Sequence, residues 1–370
     1  MGDKLRVGII SANWGVAAHL PAWRAVPGVE VVGICTAHRE TAEAAAAANG
    51  IPKAFWDYRE MAQDPEIDLV DAGTRPNLRY DMCLSAIEAG KHVYNGIPFA
   101  DTIEHARDLR DAAAKAGVVA AVDAYSEHLP AIAWARELIA GGELGQVFSV
   151  NCRLHMSLFN TPVSTFGYNW FCDRIYGCSA WRNLGSHALH VLYSLFGAID
   201  EVTAHNEKFL DEWRFVDTGH TVRPQVEDTA AALLRFRSGA IGTLTTSWVA
   251  IAGGGYLLDV FGSKGRLVLQ GQAFMPSNDL QVLLGKPGDM VPTPQEVPER
   301  FRRREGIAVT ADDGVSPVFA MSLTFADVLR AIEHGGEPRP SFDQGYAVQS
   351  VIEAGEQSAR TGRPVRPRDV

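Results

Sequence analysis

Residues 4–25 read KLRVGIISANWGVAAHLPAWRA, and this stretch gives the strongest indication of the fold. A short apolar run with β-branched residues passes through a turn of small residues directly into a helical pattern. A strand, turn and helix of this kind direct backbone N–H groups and a helix N-terminus at one place, which suits the pyrophosphate of a dinucleotide. We therefore interpret the stretch as the start of a nucleotide-binding βαβ unit.

The glycine fingerprint of such a turn, G-x-G-x-x-G, is only partly present. Its three glycine positions hold Ser11, Asn13 and Val16, and Gly15 comes one place early. The turn can still form, because Ser11 is small and Asn tolerates a positive φ better than other residues with a side chain. An ordinary βα turn of another α/β protein remains the alternative. The residues predicted here to bind a cofactor are Ser11, Asn13, Trp14 and Gly15.

The composition indicates a globular protein of two domains. The chain has 370 residues, 46% of them hydrophobic and 21% charged, and a single core rarely outgrows about 250 to 300 residues. The 34 basic and 44 acidic residues leave a formal net charge of −10, which argues against a broad nucleic-acid or anionic-membrane surface. No apolar run reaches the roughly 18 residues of a membrane span, and the first residues lack a secretory signal.

The five cysteines show no metal-ligand spacing, and their odd number argues against a disulfide framework. We expect reduced thiols in a cytoplasmic protein. The five are Cys35, Cys83, Cys152, Cys172 and Cys178.

The second predicted strand, residues 29–35, precedes a helix over 39–49 that Gly50 is expected to end. An NAD-specific unit usually has an Asp or Glu after this strand for the ribose diol, and here that acid is missing. Instead Thr36, His38 and Arg39 follow the strand, and an arginine suits a 2′-phosphate. We predict that all three bind the cofactor and that NADP is preferred, with NAD possible. Arg39 as a solvated first-turn residue is the alternative.

Further strands over 67–74, 91–98 and 118–122 alternate with helices, which predicts a doubly wound parallel sheet with its ligand outside the carboxyl ends of the strands. Four predicted cofactor-binding residues lie at these ends, namely Thr74, Arg75, Asn95 and Tyr125.

Several motifs, taken in their order and spacing, resemble the glucose-fructose oxidoreductase and inositol dehydrogenase family, known as Gfo/Idh/MocA. They are AHLPA at 18–22, TRP at 74–76, EAGKHV at 88–93, ARELI at 135–139, LG at 144–145 and GSH at 185–187. The resemblance covers nearly the whole chain. It implies an enzyme that binds a nicotinamide cofactor in an amino-terminal Rossmann domain, with Pro76 among the contacts.

Two motifs of this family are altered here. The Glu-Lys-Pro segment, whose lysine is thought to orient the reacting hydroxyl, is replaced by Gly96, Ile97 and Pro98, and Ile97 cannot carry a proton or a charge. We expect all three to contact the cofactor.

The family pattern Asp-x-x-x-His appears as Asn183 and His187. The four-residue spacing places both on one helix face. We predict that His187 is the catalytic proton acceptor and that Asn183 steadies the substrate oxygen; a capping or core histidine is the alternative. His190 extends the pattern to His-x-x-His, but no acid is placed as a third ligand, so no metal site is predicted.

Beyond the predicted domain boundary, which separates residues 1–126 from 127–370, strands follow one another without helices. They cover 147–154, 201–205, 229–237, 239–248 and 257–269, and indicate a large, mostly antiparallel open sheet, so the fold class is α/β plus α+β. One face would cover the helix with His187, and the other suggests a homodimer or homotetramer. Residues 276–304 read as a polar excursion, and helices over 319–334 and 344–361 would brace the two domains.

Residues 160–173 are aromatic, and Phe166, Tyr168, Trp170 and Phe171 would form either a wall for a ring-shaped substrate or loop anchors. Arg174 and Arg182 suit a carboxylate or phosphate, with surface ion pairing as the alternative. His128 would donate a hydrogen bond to substrate or belong to a plain domain-boundary loop. The candidate substrate residues are thus His128, Trp170, Arg174 and Arg182.

These observations favour an NAD(P)-dependent dehydrogenase or reductase acting on a secondary alcohol or lactol carbon of a sugar-like or cyclic substrate, such as a carbohydrate, cyclic polyol or hemiacetal. Two alternatives remain open. One is a non-catalytic regulator that senses NAD(P), and the other is NAD-dependent glycosidase chemistry by transient oxidation.

Overall fold

The computed structural model describes residues 4–160, 164–272, 277–313 and 317–370, and the chain divides into two compact units. The first unit comprises Met1–His128 and Arg302–Tyr346, and the second comprises Leu129–Phe301 and Ala347–Val370. The first segment ends two residues after the predicted boundary. Residues 302–346, which the sequence analysis placed in the second domain, lie in the first unit because their helix packs on the first helix of the chain.

Six parallel strands form the sheet of the first unit. They are β1 (Leu5–Ile10), β2 (Val29–Cys35), β3 (Lys53–Phe55), β4 (Leu69–Ala72), β5 (His92–Asn95) and β6 (Ala120–Val122). Their spatial order is 3-2-1-4-5-6, with every neighbouring pair parallel. This is the doubly wound order that the alternation of strands and helices predicted, and it reverses between β1 and β4.

Five helices lie between these strands, and the one predicted over 39–49 has those bounds. They are α1 (Leu20–Arg24), α2 (Arg39–Asn49), α3 (Tyr58–Gln63), α4 (Pro76–Glu88) and α5 (Ile103–Ala116), and a π-helical turn over Gly15–His19 leads into α1. Gly50 ends α2 with a left-handed φ of 61°, which a residue without Cβ adopts at little cost. Thr102 caps α5, because its hydroxyl accepts the N–H of His105 at 3.1 Å.

The second unit contains an eight-stranded sheet and a two-stranded one. The strands are β7 (Val147–His155), β8 (Ile199–Glu207), β9 (Trp213–Arg214), β10 (Thr221–Val222), β11 (Thr229–Phe236), β12 (Ile241–Ser247), β13 (Gly255–Gly262), β14 (Arg266–Gly271), β15 (Gln281–Gly285) and β16 (Thr293–Gln295). The large sheet has the order 16-15-14-13-7-12-11-8, and only β7 and β12 are paired in parallel. The prediction of a mostly antiparallel open sheet is confirmed.

Two predictions for this unit differ from the structure. The run 257–269 is two strands, because the chain turns at residues 263–265 and the N–H of Gly262 donates to the carbonyl of Gly265 at 2.9 Å. The polar segment over 276–304 contains β15 and β16. β15 pairs with β14, and β16 pairs with β15, although the apolar runs of both strands are short. Pro276 lies outside the described residues.

The remaining helices are α6 (Pro130–Ala140), α7 (Ala180–Phe196), α8 (Glu299–Arg302), α9 (Val318–His334) and α10 (Phe342–Thr361). As predicted, α7 packs on the large sheet, against β7, β11 and β12. Gly355 lets α10 approach α7, because a Cβ there would lie only 2.5 Å from Cζ2 of Trp181. Among the described residues, no helix combines the length and the apolar composition needed to cross a membrane.

Candidate active site

The turn after β1 is exposed where the strand order of the first unit reverses. Residues 12–14 are exposed, and the hydroxyl of Ser11 accepts the N–H groups of Asn13 and Gly15, each at 3.3 Å. A Cβ on Gly15 would lie 2.8 Å from Cγ2 of Ile9 and 2.9 Å from Cβ of Ser11. The third glycine of the fingerprint normally permits close packing of the strand and the helix. Here Gly15 has that role, although the motif alignment puts Val16 at the third position.

The loop after β4 lies beside this turn. A Cβ on Gly73 would be 3.7 Å from Cβ of Ser11, so the two loops form one edge at the carboxyl ends of the strands. Thr74 and Arg75 follow, and Pro76 begins α4, where its missing N–H costs no hydrogen bond. We call residues 11–15 and 73–76 the switch-point edge. Its position at the carboxyl ends of β1 and β4, where the strand order reverses, fits the diphosphate of a dinucleotide.

The segment after β5 is buried more deeply than the sequence indicated. Asn95 is fully buried, and its side-chain N–H₂ donates to the carbonyl of Phe99 at 2.8 Å. Gly96 and Pro98 are buried, and Ile97 is half-buried. Tyr125 is 4% exposed. Asn95 and Tyr125, both predicted to bind the cofactor, are thus packed inside the unit.

The residues after β2 lie on the surface. Thr36 and Thr41 share a hydrogen bond of 2.6 Å between their hydroxyls, and His38 precedes α2. The side chain of Arg39 is 65% exposed, its Nε donates to Glu43 at 2.8 Å, and its guanidinium carbon lies 5.0 Å from the ring centre of Trp56. Arg39 is accessible, but a phosphate would compete with Glu43 for it.

A buried charged network lies beneath the switch-point edge, and the sequence did not predict it. Nδ1 of His19 lies 2.8 Å from Asp71, and Nε2 lies 3.4 Å from Asp123. Trp23 donates to Asp71 at 2.8 Å, and the hydroxyl of Tyr94 donates to Asp123 at 2.7 Å. Burial lowers the pKa of His19, but the two carboxylates outweigh it and raise that pKa to about 10. The imidazole is therefore cationic at neutral pH.

A second buried residue, Arg79 on α4, was also missed. It is 3% exposed, and its guanidinium donates to the carbonyl groups of Thr74 and Pro98. The sequence offered two signals for it. One is an arginine within α4, and the other is Gly96 at the position of the glutamate in the family's Glu-Lys-Pro segment. Neither signal identifies its partners without coordinates.

In the second unit, Asn183 and His187 are both half-buried on α7, four residues apart, as predicted. Ser179 caps this helix by accepting the N–H of Arg182 at 3.1 Å. His190 is 1% exposed, and burial, followed by the charge of His187, lowers its pKa to about 3. His190 is therefore a neutral core residue. Within the described part of the chain, no three His, Cys, Asp or Glu side chains are grouped as metal ligands.

The candidate substrate residues have partners within their own units. Arg182 is 12% exposed at its side chain and makes two bonds of 2.7 Å to Glu356. Arg174 pairs with Glu227 at 2.6 Å. Both arginines thus form ion pairs, which was the alternative to a substrate role. Nε2 of His128 lies 3.1 Å from the carbonyl oxygen of Arg339.

The aromatic stretch over 160–173 also forms contacts within its unit. Trp170 packs edge-on against Phe171, with ring centres 4.2 Å apart. Phe171 in turn stacks on Trp248 in a buried cluster, and Phe166 packs on Phe215. Phe166 and Phe171 are therefore loop anchors, while Tyr168 remains 43% exposed. Residues 161–163 lie outside the described residues.

Comparisons with known proteins agree with this architecture. Residues 5–124 match a family model described as "Oxidoreductase family, NAD-binding Rossmann fold", and residues 132–268 match the GFO/IDH/MocA C-terminal domain. The levoglucosan dehydrogenase of Pseudarthrobacter phenanthrenivorans is 26% identical over 96% of each chain. Among solved structures, an NAD binding oxidoreductase from Klebsiella pneumoniae is 28% identical with a TM-score of 0.85, covering 98% of this chain and 99% of that one. A levoglucosan dehydrogenase in complex with NADH and L-sorbose is 25% identical with a TM-score of 0.86, covering 99% of each chain.

Proposed function

Because this chain belongs to the Gfo/Idh/MocA family of NAD-binding oxidoreductases, as its motifs predicted, we propose that it oxidises or reduces a carbohydrate or a related cyclic polyol or hemiacetal. The reacting carbon would be a secondary alcohol or lactol carbon. The observation that carries the proposal is the switch-point edge. It lies where the 3-2-1-4-5-6 strand order reverses, and it contains the exposed turn that ends at the closely packed Gly15. The names of similar proteins support the substrate class, since they include a levoglucosan dehydrogenase and its complex with L-sorbose.

Three groups of residues in the first unit would hold the cofactor. The switch-point edge would bind the diphosphate, Thr36, His38 and Arg39 would bind the adenosine end, and Gly96, Ile97 and Pro98 would border the nicotinamide. Asn95 and Tyr125 would shape these loops from inside. When it is bound, the cofactor supplies the carbon that accepts or donates the hydride.

The proton chemistry is assigned to α7. In the direction of alcohol oxidation, His187 would accept the hydroxyl proton, and the side-chain amide of Asn183 would donate a hydrogen bond to the same oxygen. Asn183 cannot act as a base, and Ile97 can neither take a proton nor carry a charge. A lactol suits this reduced set of groups, because a hemiacetal hydroxyl is easier to ionise than a simple alcohol. His128 and Trp170 remain proposed substrate contacts.

We further propose that the cofactor is NADP rather than NAD. The end of β2 lacks an acid, and Arg39 is accessible on the surface. The NADH in the structure of the similar levoglucosan dehydrogenase is the opposing consideration. Glu43, which holds Arg39, would have to yield the guanidinium to a 2′-phosphate.

The protein is proposed to act in the cytoplasm as a homodimer or homotetramer. All five cysteines are thiols, which suits a reducing compartment. The outer face of the large sheet exposes Leu233 by 61%, Ile241 by 61% and Phe261 by 36%. A second copy would cover these side chains.

The proposed reaction is tested by following reduced-nicotinamide absorbance with a panel of sugars, anhydrosugars and cyclic polyols. We expect turnover with at least one cyclic substrate carrying a secondary alcohol or lactol. Cofactor binding without turnover on any substrate would favour a sensing regulator. Tightly held cofactor with hydrolysis of a glycoside and no net reduction would favour glycosidase chemistry.

A further inference from the structure

Arg79 connects two loops of the first unit that follow neighbouring strands. One N–H₂ of its guanidinium donates to the carbonyl of Thr74, after β4, and the other donates to the carbonyl of Pro98, after β5. Arginine presents its donors in a rigid planar fork, so bonds from both ends fix the two carbonyl groups relative to each other. The side chain reaches them from inside the unit, because Arg79 is 3% exposed on α4.

Gly96 provides the space that this guanidinium occupies. A Cβ at position 96 would lie 3.0 Å from Nη1, 3.1 Å from Cζ and 3.4 Å from Nε of Arg79. Such distances are tighter than most van der Waals contacts of a Cβ, so a side chain at 96 would require the guanidinium to shift by a few tenths of an ångström against its carbonyl partners. The glycine and the arginine are therefore structurally dependent on each other.

We propose that Arg79 is a positioning residue for the nicotinamide end of the cofactor site and that Gly96 serves to admit it. This inference rests on the proposed function. It accounts for the departure from Glu-Lys-Pro at position 96, where a side chain would crowd the guanidinium that lies behind the segment, and it does not explain the isoleucine at position 97. Arg79 replaces none of the proton chemistry, because a guanidinium stays protonated in proteins.

The binding arm of the test titrates each purified full-length variant with NADPH, following nicotinamide fluorescence. We expect Arg79→Met to weaken binding by about tenfold or more, since it removes two charge-assisted bonds to the loops. Arg79→Lys should recover part of the loss, because an ammonium can donate to one carbonyl but lacks the fork. Ile87→Val, buried on the same helix but away from the loops, should lower the melting temperature and leave the affinity unchanged.

A second experiment tests whether Gly96 and Arg79 depend on each other, by introducing Gly96→Ala into the unmodified chain and into Arg79→Met. Gly96→Ala alone should weaken NADPH binding and lower the melting temperature of the cofactor-free chain, because the added methyl displaces the guanidinium. In the Arg79→Met background, the same change should cost markedly less in both measurements.

Three results would overturn the inference while leaving the proposed function intact. They are unchanged affinity in Arg79→Met, an equal loss of affinity in Ile87→Val, and an identical cost of Gly96→Ala in both backgrounds. Failure of the unmodified chain to bind either NADPH or NADH would instead overturn the proposed function, and the inference with it.

Discussion

Among single residues, His187 is the one on which the proposed proton transfer depends. It is half-buried on α7, one turn from Asn183, while the neighbouring His190 is enclosed and neutral. General acid–base catalysis contributes about 10² to 10⁴ in rate. We therefore expect His187→Ala to lower kcat by at least about a hundredfold on the best substrate of the panel.

The matched control for this variant is His205→Ala, an exposed histidine of the same unit on β8, which should keep full activity. Asn183→Asp should move the acid limb of the pH–rate profile to higher pH, because a carboxylate stabilises a nearby imidazolium. Full turnover in His187→Ala would show that another group takes the proton.

The proposed preference for NADP depends on Arg39. We expect NADP⁺ to bind at least several-fold more tightly than NAD⁺, and Arg39→Ala to abolish the difference, because a charge-assisted bond to phosphate contributes about 1.5 to 3 kcal/mol. Glu43→Gln is the matched control, and it should keep or strengthen NADP⁺ binding because it frees the guanidinium from its ion pair. The measurement is isothermal titration of both nucleotides. Equal affinities in the unmodified chain would contradict the argument from Arg39.

Single residues also show where sequence reasoning reached its limit. The i,i+4 spacing of Asn183 and His187 was sufficient to place both on one helix face, because helical geometry is local. The ion pair between Arg182 and Glu356 joins residues 174 positions apart, so no local pattern reveals it. Asn95 was predicted to bind the cofactor at the end of a strand, and its burial depends on a loop that returns to present the carbonyl of Phe99.

At the scale of elements, most strands and helices were predictable because their signals are local. Gly50 ends α2, and a run rich in β-branched residues marks β2. Prediction failed where pairing with a distant strand decides the structure. Both β15 and β16 are short, and their hydrogen bonds to β14 and to each other stabilise them. The turn between β13 and β14 had a signal in Gly262 and Gly265 that the long apolar run obscured.

The buried network links the first helical turn to β4, β5 and the end of β6, and it makes stability depend on pH. The pKa of His19 is about 10 when folded and 6.5 when unfolded, so its stabilising contribution is complete below pH 6.5 and is lost as pH rises through 10. Between these two pH values, one such group lowers the free energy of unfolding by about 1.4 kcal/mol per pH unit.

Urea unfolding of the unmodified chain and of His19→Gln between pH 7 and 10 tests this linkage. The free energy of unfolding of the unmodified chain should fall more steeply with rising pH, so that the two curves converge near pH 10. Parallel curves would mean that His19 is neutral in the folded protein.

At the scale of the whole molecule, the exposed apolar residues of the large sheet predict self-association. Ile241 and Phe261 flank Ser149 on three neighbouring strands of the outer face. Light scattering should give a dimer or tetramer, and Ile241→Lys should shift the mass toward a single chain by placing a charge in the interface. Ile251→Lys changes an isoleucine that is 74% exposed outside the strands and should leave the mass unchanged. A monomeric unmodified chain would contradict the oligomer.

The proposed function requires that the switch-point edge of the first unit bind a nicotinamide dinucleotide. Calorimetric titration of the purified chain with NADP⁺ and NAD⁺ measures this binding, with Gly15→Val, which would place a side chain against Ile9, as the variant that distorts the edge. We expect saturable binding of one nucleotide per chain, with NADP⁺ tighter, and a large loss of affinity in Gly15→Val. No binding of either nucleotide by the folded chain, or undiminished binding by the variant, would contradict binding at the switch-point edge.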